Sequence, residues 1–152
     1  MGTASDLVGF LKEQKEQEGR EGFDRDGREW MTDVLNLIRQ IEGWLSEPAK
    51  QQLVNLEEFG FAAHEEPLGE QHLTGLKIHA PKGRLIIVQP VARFVIGGEG
   101  RVDLLSGPRR VSLLRTKERT WLVARSEPNQ VAYHVEPLDE ALFSEILKDL
   151  LA

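Results

Sequence analysis

Turn-forming residues divide the second half of the chain into short apolar segments. The strongest turn signals are Pro81-Lys82-Gly83, Gly98-Glu99-Gly100 and Gly107-Pro108. Connections this short can join only neighbouring antiparallel strands, because a parallel crossover needs a dozen or more residues. The spacing therefore predicts an antiparallel meander of about six or seven strands, from about Leu56 to Val135.

The glycine turns also predict the register of three strands. Gly100 would take the left-handed position of a G1 bulge, and Gly107 supplies the positive φ that a type II′ turn needs. The predicted pairs are Ile96 with Val102, Phe94 with Leu104, Leu104 with Val111, and Val102 with Leu113. Pro90 cannot donate to a ladder, so we expect a bulge or an edge position there. Val131, Tyr133 and Val135 predict a last short strand.

Helical periodicity appears on both sides of the strand region. Asp26 and Glu29 have the spacing of a capping box and predict a helix that ends near Ser46, followed by a short helix to about Leu53. The apolar stripe of the first of these two helices consists of Trp30, Val34, Leu37, Ile41 and Trp44. Asp139 is the predicted cap of a C-terminal helix whose stripe consists of Leu142, Phe143, Ile146, Leu147, Leu150 and Leu151. Helix, strands and helix in this order predict an α+β fold, in which helices pack an antiparallel sheet.

The N-terminus differs from the rest of the chain in its patterning. Leu7, Val8, Phe10 and Leu11 form an apolar patch, and no apolar residue occurs from Lys12 to Arg20. We expect a short N-terminal helix followed by a mobile polar segment over residues 1–22, and one α+β domain over 23–152.

Length and composition bound the classes of protein. A chain of 152 residues is the size of one domain, and it contains no cysteine for a disulfide, a thiolate nucleophile or a Cys-ligated zinc site. It has neither an apolar run of about 20 residues nor an N-terminal export signal. We therefore expect a soluble, cytoplasmic protein without a membrane span or a cofactor.

Positive charge is concentrated in the predicted sheet. Residues 84–125 hold nine of the 19 Lys and Arg but three of the 25 Asp and Glu, within a chain of net charge −6. The predicted register places Arg93, Arg101, Asp103, Arg110 and Ser112 on the face opposite the apolar residues. Such arginines can bind a carboxylate or a phosphate in bidentate fashion, or they can form surface ion pairs with Asp103.

The charge pattern also permits binding of an anion or a nucleic acid. The basic face, with Trp121 or Tyr133 as a stacking platform, would serve such a role. The net charge of −6 opposes it, because an acidic domain repels a polyanion at long range.

One segment is reminiscent of a known enzyme family. Gly100 to Leu104, followed after a turn by Arg110 to Arg115, resembles the metal-binding hairpin of PD-(D/E)xK nucleases. The resemblance implies a Mg²⁺-dependent nuclease with Asp103 as one ligand. It covers about fifteen residues, and Leu113 and Arg115 occupy the positions of the family's Glu and Lys. An apolar side chain cannot ligate a hard cation, so the implied domain is a degenerate one.

No other catalytic or metal-binding pattern is present. His64, His72, His79 and His134 lack the local spacing of zinc ligands. Gly22 to Asp33 has Gly at the first position of an EF-hand loop and lacks the bidentate Glu at the last. The sequence therefore favours a non-catalytic module that binds another protein, with self-association as a further possibility. Its candidate polar face is Arg93, Arg101, Asp103 and Arg110, and its candidate apolar anchors are Leu7, Phe10, Leu11, Phe143, Leu147 and Leu151.

Overall fold

Seven antiparallel strands form one open sheet in which spatial order equals chain order. The structure is a computed structural model that describes residues 3–125 and 134–152. The strands are β1 (Asn55–Glu65), β2 (Gly69–Ala80), β3 (Arg84–Ala92), β4 (Arg101–Ser106), β5 (Arg109–Arg115), β6 (Trp121–Arg125) and β7 (His134–Pro137). The helices are α1 (Ala4–Trp44), α2 (Ser46–Lys50) and α3 (Glu140–Leu151), and a 3₁₀ turn covers Pro81–Gly83. The predicted α+β meander is thereby confirmed.

Helix α1 is continuous over 41 residues, so the helix start predicted at Asp26 is wrong. The capping box lies instead at the N-terminus, where Thr3 Oγ1 accepts from the Asp6 amide at 3.3 Å and the Asp6 carboxylate accepts from the Thr3 amide at 2.9 Å. The segment that was expected to be mobile is rich in Lys, Glu and Gln, which have high helix propensity. The helix therefore passes residue 22 without interruption, although residues 3–21 are all exposed.

One face of the sheet, here called the inner face, carries the core. Helices α1 and α3 pack against it, and Trp44 of α1 meets Phe143 of α3 with a ring-centroid distance of 5.3 Å. The most deeply buried strand residues of this core, each at most 2% exposed, are Leu76, Ile78, Ile86, Val88, Val102, Leu104, Leu113 and Val123. The opposite, outer face carries Arg101, Asp103 and Ser112, because side chains alternate along a strand.

The two predicted hairpin registers had different outcomes. The Gly107-Pro108 turn is confirmed: Gly107 has a φ of +56°, and β4 and β5 pair Leu104 with Val111 and Val102 with Leu113. The predicted loop at Gly98-Glu99-Gly100 is wrong, because β3 pairs Pro90 with Val102 and Val88 with Leu104.

A longer connection over residues 93–100 replaces that predicted hairpin. The ladder shifts register between Pro90 and Ala92, which confirms the expected bulge. The Glu65 carboxylate then accepts hydrogen bonds from the backbone amides of Arg93 and Phe94 at 2.8 and 2.9 Å, and so directs the chain away from β4. Ile96, predicted to pair with Val102, is consequently fully exposed.

The remaining predicted elements agree with the structure where it describes them. Asp139 caps α3 by accepting from the Leu142 amide at 2.7 Å, and α2 begins at Ser46 as expected. Val135 lies in β7, whereas Val131 and Tyr133 are outside the described residues. Within 3–125 and 134–152, no helix combines the length and apolarity needed to cross a bilayer.

Candidate functional site

The outer face of β4 and β5 holds a compact ion-pair cluster. Arg101 grips the Asp103 carboxylate in bidentate fashion, with Nε to Oδ1 at 2.8 Å and Nη2 to Oδ2 at 2.7 Å. Ser112 Oγ, on the neighbouring strand, donates to the same Oδ1 at 2.9 Å. Asp103 is only 4% exposed, so this network fixes the Arg101 guanidinium in one orientation.

A groove of about 770 Å³ extends over this cluster, between the 93–100 loop and strands β4 to β7. We call it the arginine groove; it is lined by the polar residues Arg101, Arg110, Ser112 and Arg125 and the apolar residues Val95, Ile96, Leu114, Ala124 and Val135. Arg110 is exposed and has no hydrogen bond or ion pair with any described residue. A mixed apolar and cationic lining suits an amphipathic segment that carries carboxylates.

Arg93 does not join this surface, contrary to the predicted register. Its guanidinium binds Asp26 of α1 with Nη2 to Oδ1 at 3.0 Å, and it also lies 3.1 Å from the Glu99 carboxylate. The side chain is 12% exposed. Arg93 therefore ties the 93–100 loop to helix α1, and of the four predicted polar residues the structure brings together Arg101, Asp103 and Arg110.

The six predicted apolar anchors also divide into two groups. Phe143 and Leu147 are 1% and 8% exposed in the core, and Leu151 is half-buried against it. These three side chains are consumed by the internal packing of α3. By contrast, Leu7, Phe10 and Leu11 are exposed at 58%, 58% and 54% at the start of α1. Only this second group is accessible for contact with another molecule.

An ion-pair cluster on the inner face was missed by the sequence reasoning. Asp33 of α1 receives Arg115 Nη1 at 2.7 Å and is gripped by Arg119, with Nε at 2.9 Å and Nη2 at 2.7 Å. The Arg115 guanidinium also lies 5.0 Å from the ring centroid of Trp30. Two signals were present: Asp33 interrupts the apolar stripe of α1, and Arg115 shares a strand face with Leu113. Asp33 and Arg115 are 82 positions apart in sequence, so their ion pair could not be predicted from either segment alone.

Electrostatics separate two carboxylate environments on helix α1. Burial would raise the pKa of Asp33, but the hydrogen bonds from Arg119 and Arg115 outweigh it and hold the pKa below 3.8. Burial, followed by the hydrogen bond and the charge of Glu58, raises the pKa of Glu42 to about 7. Arg39 lies between these two glutamates, with Nε 2.7 Å from Glu58 and 3.5 Å from Glu42.

The geometry also bears on the nuclease-like hairpin. Asp103 faces outward, whereas Leu113 lies in the core and Arg115 is bound to Asp33 on the inner face. The three positions that the resemblance would group are therefore on opposite faces of the sheet. Among the described residues, no three His, Asp or Glu side chains gather closely enough to hold a metal ion.

Within residues 3–125 and 134–152, the arginine groove and the exposed start of α1 are two surface features that remain accessible to another molecule. Comparisons of the chain with protein-family models, with curated proteins and with solved structures find no match.

Proposed function

We propose that this protein is a non-catalytic module that binds another protein, as an accessory subunit, an inhibitor or an adaptor. The observation that carries the proposal is the exposed first part of helix α1. We call residues 4–21 the arm, and its apolar patch consists of Leu7, Val8, Phe10 and Leu11, which are 50% to 58% exposed.

The helical conformation of the arm gains no stability from packing unless another molecule binds its apolar patch. Isolated helical segments of this length are marginal in water, and most helical stability in proteins comes from packing an amphipathic face. Here the helix is anchored only from Asp26 onward, where Arg93 binds it and where, at Gly27, its buried residues begin. Four large apolar side chains clustered at its exposed end are typical of a helix that docks in a partner's groove.

The arginine groove supports the same proposal as a second contact surface. Asp103 holds the Arg101 side chain in one orientation, so Arg101 loses little conformational entropy when a ligand binds to it. Arg110 is exposed and can turn towards an incoming carboxylate. Apolar side chains such as Ile96 lie beside these charges, so the surface offers both an anchor and an orienting polar contact.

Site-specific photo-crosslinking in the native cell tests the role of the arm. A photoreactive amino acid at position 10 should give a discrete crosslinked product, and the same residue at position 12 should give little, because Lys12 lies on a different side of the helix. Leu7→Asp should abolish the product from position 10 by removing a neighbouring anchor. Equal labelling at both positions, or a product that is indifferent to Leu7→Asp, would contradict the proposal.

A second candidate function is binding of an anion or a nucleic acid in the arginine groove. It is favoured by one observation, the absence of an ion-pair partner for Arg110 among the described residues. A salt series distinguishes it from protein binding. Affinity for a short oligonucleotide that falls steeply with added salt and is lost in Arg110→Glu would support it, whereas no binding at low salt would remove it.

A further inference from the structure

We propose that the arm of one copy docks in the arginine groove of a second copy, so that the protein self-associates through contacts between arm and groove. This inference rests on the proposed function, because it takes the arm and the groove as contact surfaces. It goes further by assigning each surface as the partner of the other.

The fold prevents the arm from reaching its own groove. Helix α1 packs on the inner face of the sheet, and the groove lies on the outer face. The arm is continuous with α1, and Leu7 precedes Gly27, the first buried residue of the helix, by 20 positions. At a rise of about 1.5 Å per residue, the apolar patch therefore projects about 30 Å beyond the anchored part of the helix. A groove filled by this patch must belong to a second copy.

The two surfaces match in their chemistry. Along the arm, Leu7, Leu11, Gln14, Glu18 and Glu21 recur at intervals of four and three residues and therefore lie on one side of the helix. The groove has a corresponding mixture of apolar and arginine side chains. Apolar side chains of the arm can cover those of the groove while the glutamates approach the arginines.

Charge favours this pairing over an association between two arms or two grooves. Residues 4–21 contain five Asp and Glu and three Lys and Arg. The groove is lined by three arginines, of which Arg101 is paired with Asp103, Arg125 lies 3.8 Å from the Asp149 carboxylate, and Arg110 has no ion pair with a described residue. An interface of arm with arm would bring acidic segments together, and one of groove with groove would bring arginines together. Like charges at an interface disfavour the wrong pairing, so the unlike pair is selected.

Sedimentation equilibrium of the full chain measures the association directly. Over a range from about 1 to 500 µM, the wild type should change from the monomer mass towards a multiple of it. Phe10→Asp and Arg110→Glu should each raise the dissociation constant at least tenfold, roughly the cost of losing one interface anchor. Lys12→Asp on the arm and Lys117→Glu in an exposed turn outside the groove are the matched charge-reversal controls, and neither should change the dissociation constant. Circular dichroism confirms that every variant is folded.

Mixing the two broken variants tests which surfaces meet. Phe10→Asp retains an intact groove and Arg110→Glu retains an intact arm, so an equimolar mixture should associate although neither variant does so alone. A mixture that stays monomeric would overturn the assignment. So would loss of association in Phe10→Asp but not in Arg110→Glu, which is the outcome expected if two arms pair with each other.

The outcomes separate this inference from the proposed function. A wild type that is monomeric throughout the range, while position 10 still crosslinks to a different protein in the cell, overturns self-association and supports the binding module. Crosslinks from position 10 to a second copy alone, together with rescue by mixing, support self-association and contradict the accessory or adaptor role.

Discussion

The two faces of the sheet use the same chemistry for different purposes. On the inner face, Asp33 binds Arg115 and Arg119 across 82 and 86 positions of sequence, and so joins helix α1 to the end of β5 and the turn after it. On the outer face, Asp103 binds Arg101 and Ser112 on its own and the adjacent strand. The inner cluster connects distant elements, whereas the outer cluster shapes a surface. Ion pairs of similar length therefore differ in consequence according to what they connect and how deeply they are buried.

The largest expected effect comes from breaking the inner cluster. Asp33→Ala leaves Arg115, whose side chain is 3% exposed, without its carboxylate partner. An uncompensated buried charge should lower the free energy of unfolding by about 3 to 5 kcal/mol. Urea denaturation measures the change, with Asp24→Ala on an exposed position of the same helix as control. A loss below about 1 kcal/mol would show that Arg115 is rehydrated at little cost.

The variant Asp33→Ala should also change how the free energy of unfolding depends on pH in acid. The pKa of Asp33 is held below 3.8, so its stabilising contribution is complete above pH 3.8 and is lost as the pH falls through the lower, folded value. Asp33→Ala should therefore show a shallower loss of stability below pH 4 than the wild type does. An acid limb of unchanged slope would contradict this assignment.

Breaking the outer cluster should cost less. Asp103→Ala removes the acceptor for Arg101 and Ser112, but the Arg101 side chain is 28% exposed and can be rehydrated by solvent. We expect a loss of about 1 to 2 kcal/mol in the free energy of unfolding by urea denaturation. Asp103→Asn keeps an acceptor for Ser112 and should recover part of it. A loss equal to that of Asp33→Ala would erase the contrast between the faces.

The neighbouring carboxylates of Glu42 and Glu58 should make the folded state less stable as the pH rises, which is opposite to the effect of Asp33. Because the pKa of Glu42 is raised from 4.5 to about 7, the folded state loses stability as the pH rises through that interval. Glu42→Gln should remove this decline and be more stable than the wild type at pH 8 by about 1 kcal/mol, a value reduced by solvent screening. Thermal unfolding at pH 5 and pH 8 measures it, and equal behaviour of the two proteins would contradict the raised pKa.

The smallest expected effect on stability belongs to Arg110. It is exposed and has no ion-pair partner among the described residues, so Arg110→Ala should change the free energy of unfolding by less than about 0.5 kcal/mol. The same substitution should weaken self-association, which no effect on folding would explain. A large destabilisation in urea would instead place Arg110 within the structural network of the sheet.

The sheet was predictable from sequence where local geometry decides its form. Gly107-Pro108 determines its hairpin within two residues, and the register of β4 with β5 follows from that turn. The connection over residues 93–100 was not predictable in the same way, because Glu65, 28 residues away from Arg93, sets its direction through two backbone hydrogen bonds. Local signals are sufficient for a turn but not for a loop that a distant side chain holds.

The residues of the candidate site were likewise predictable only where local geometry determines their position. The common face of Arg101, Asp103 and Ser112 followed from strand alternation, whereas the position of Arg93 depended on the register that was wrong. Asp26 had the spacing of a cap, but in a continuous helix its carboxylate is free to bind Arg93. Amphipathic spacing alone did not distinguish the buried stripe of α3 from the exposed patch of the arm.

The length of helix α1 has a hydrodynamic consequence. A helix of 41 residues is about 60 Å long, whereas a compact domain of this chain length has a radius of gyration of only about 15 Å. A rod projecting from a small body increases friction, so the monomer should elute from a gel-filtration column ahead of a spherical protein of 17.2 kDa. Elution volume alone would then mimic a dimer, and only methods that weigh the particle independently of its shape can report its stoichiometry.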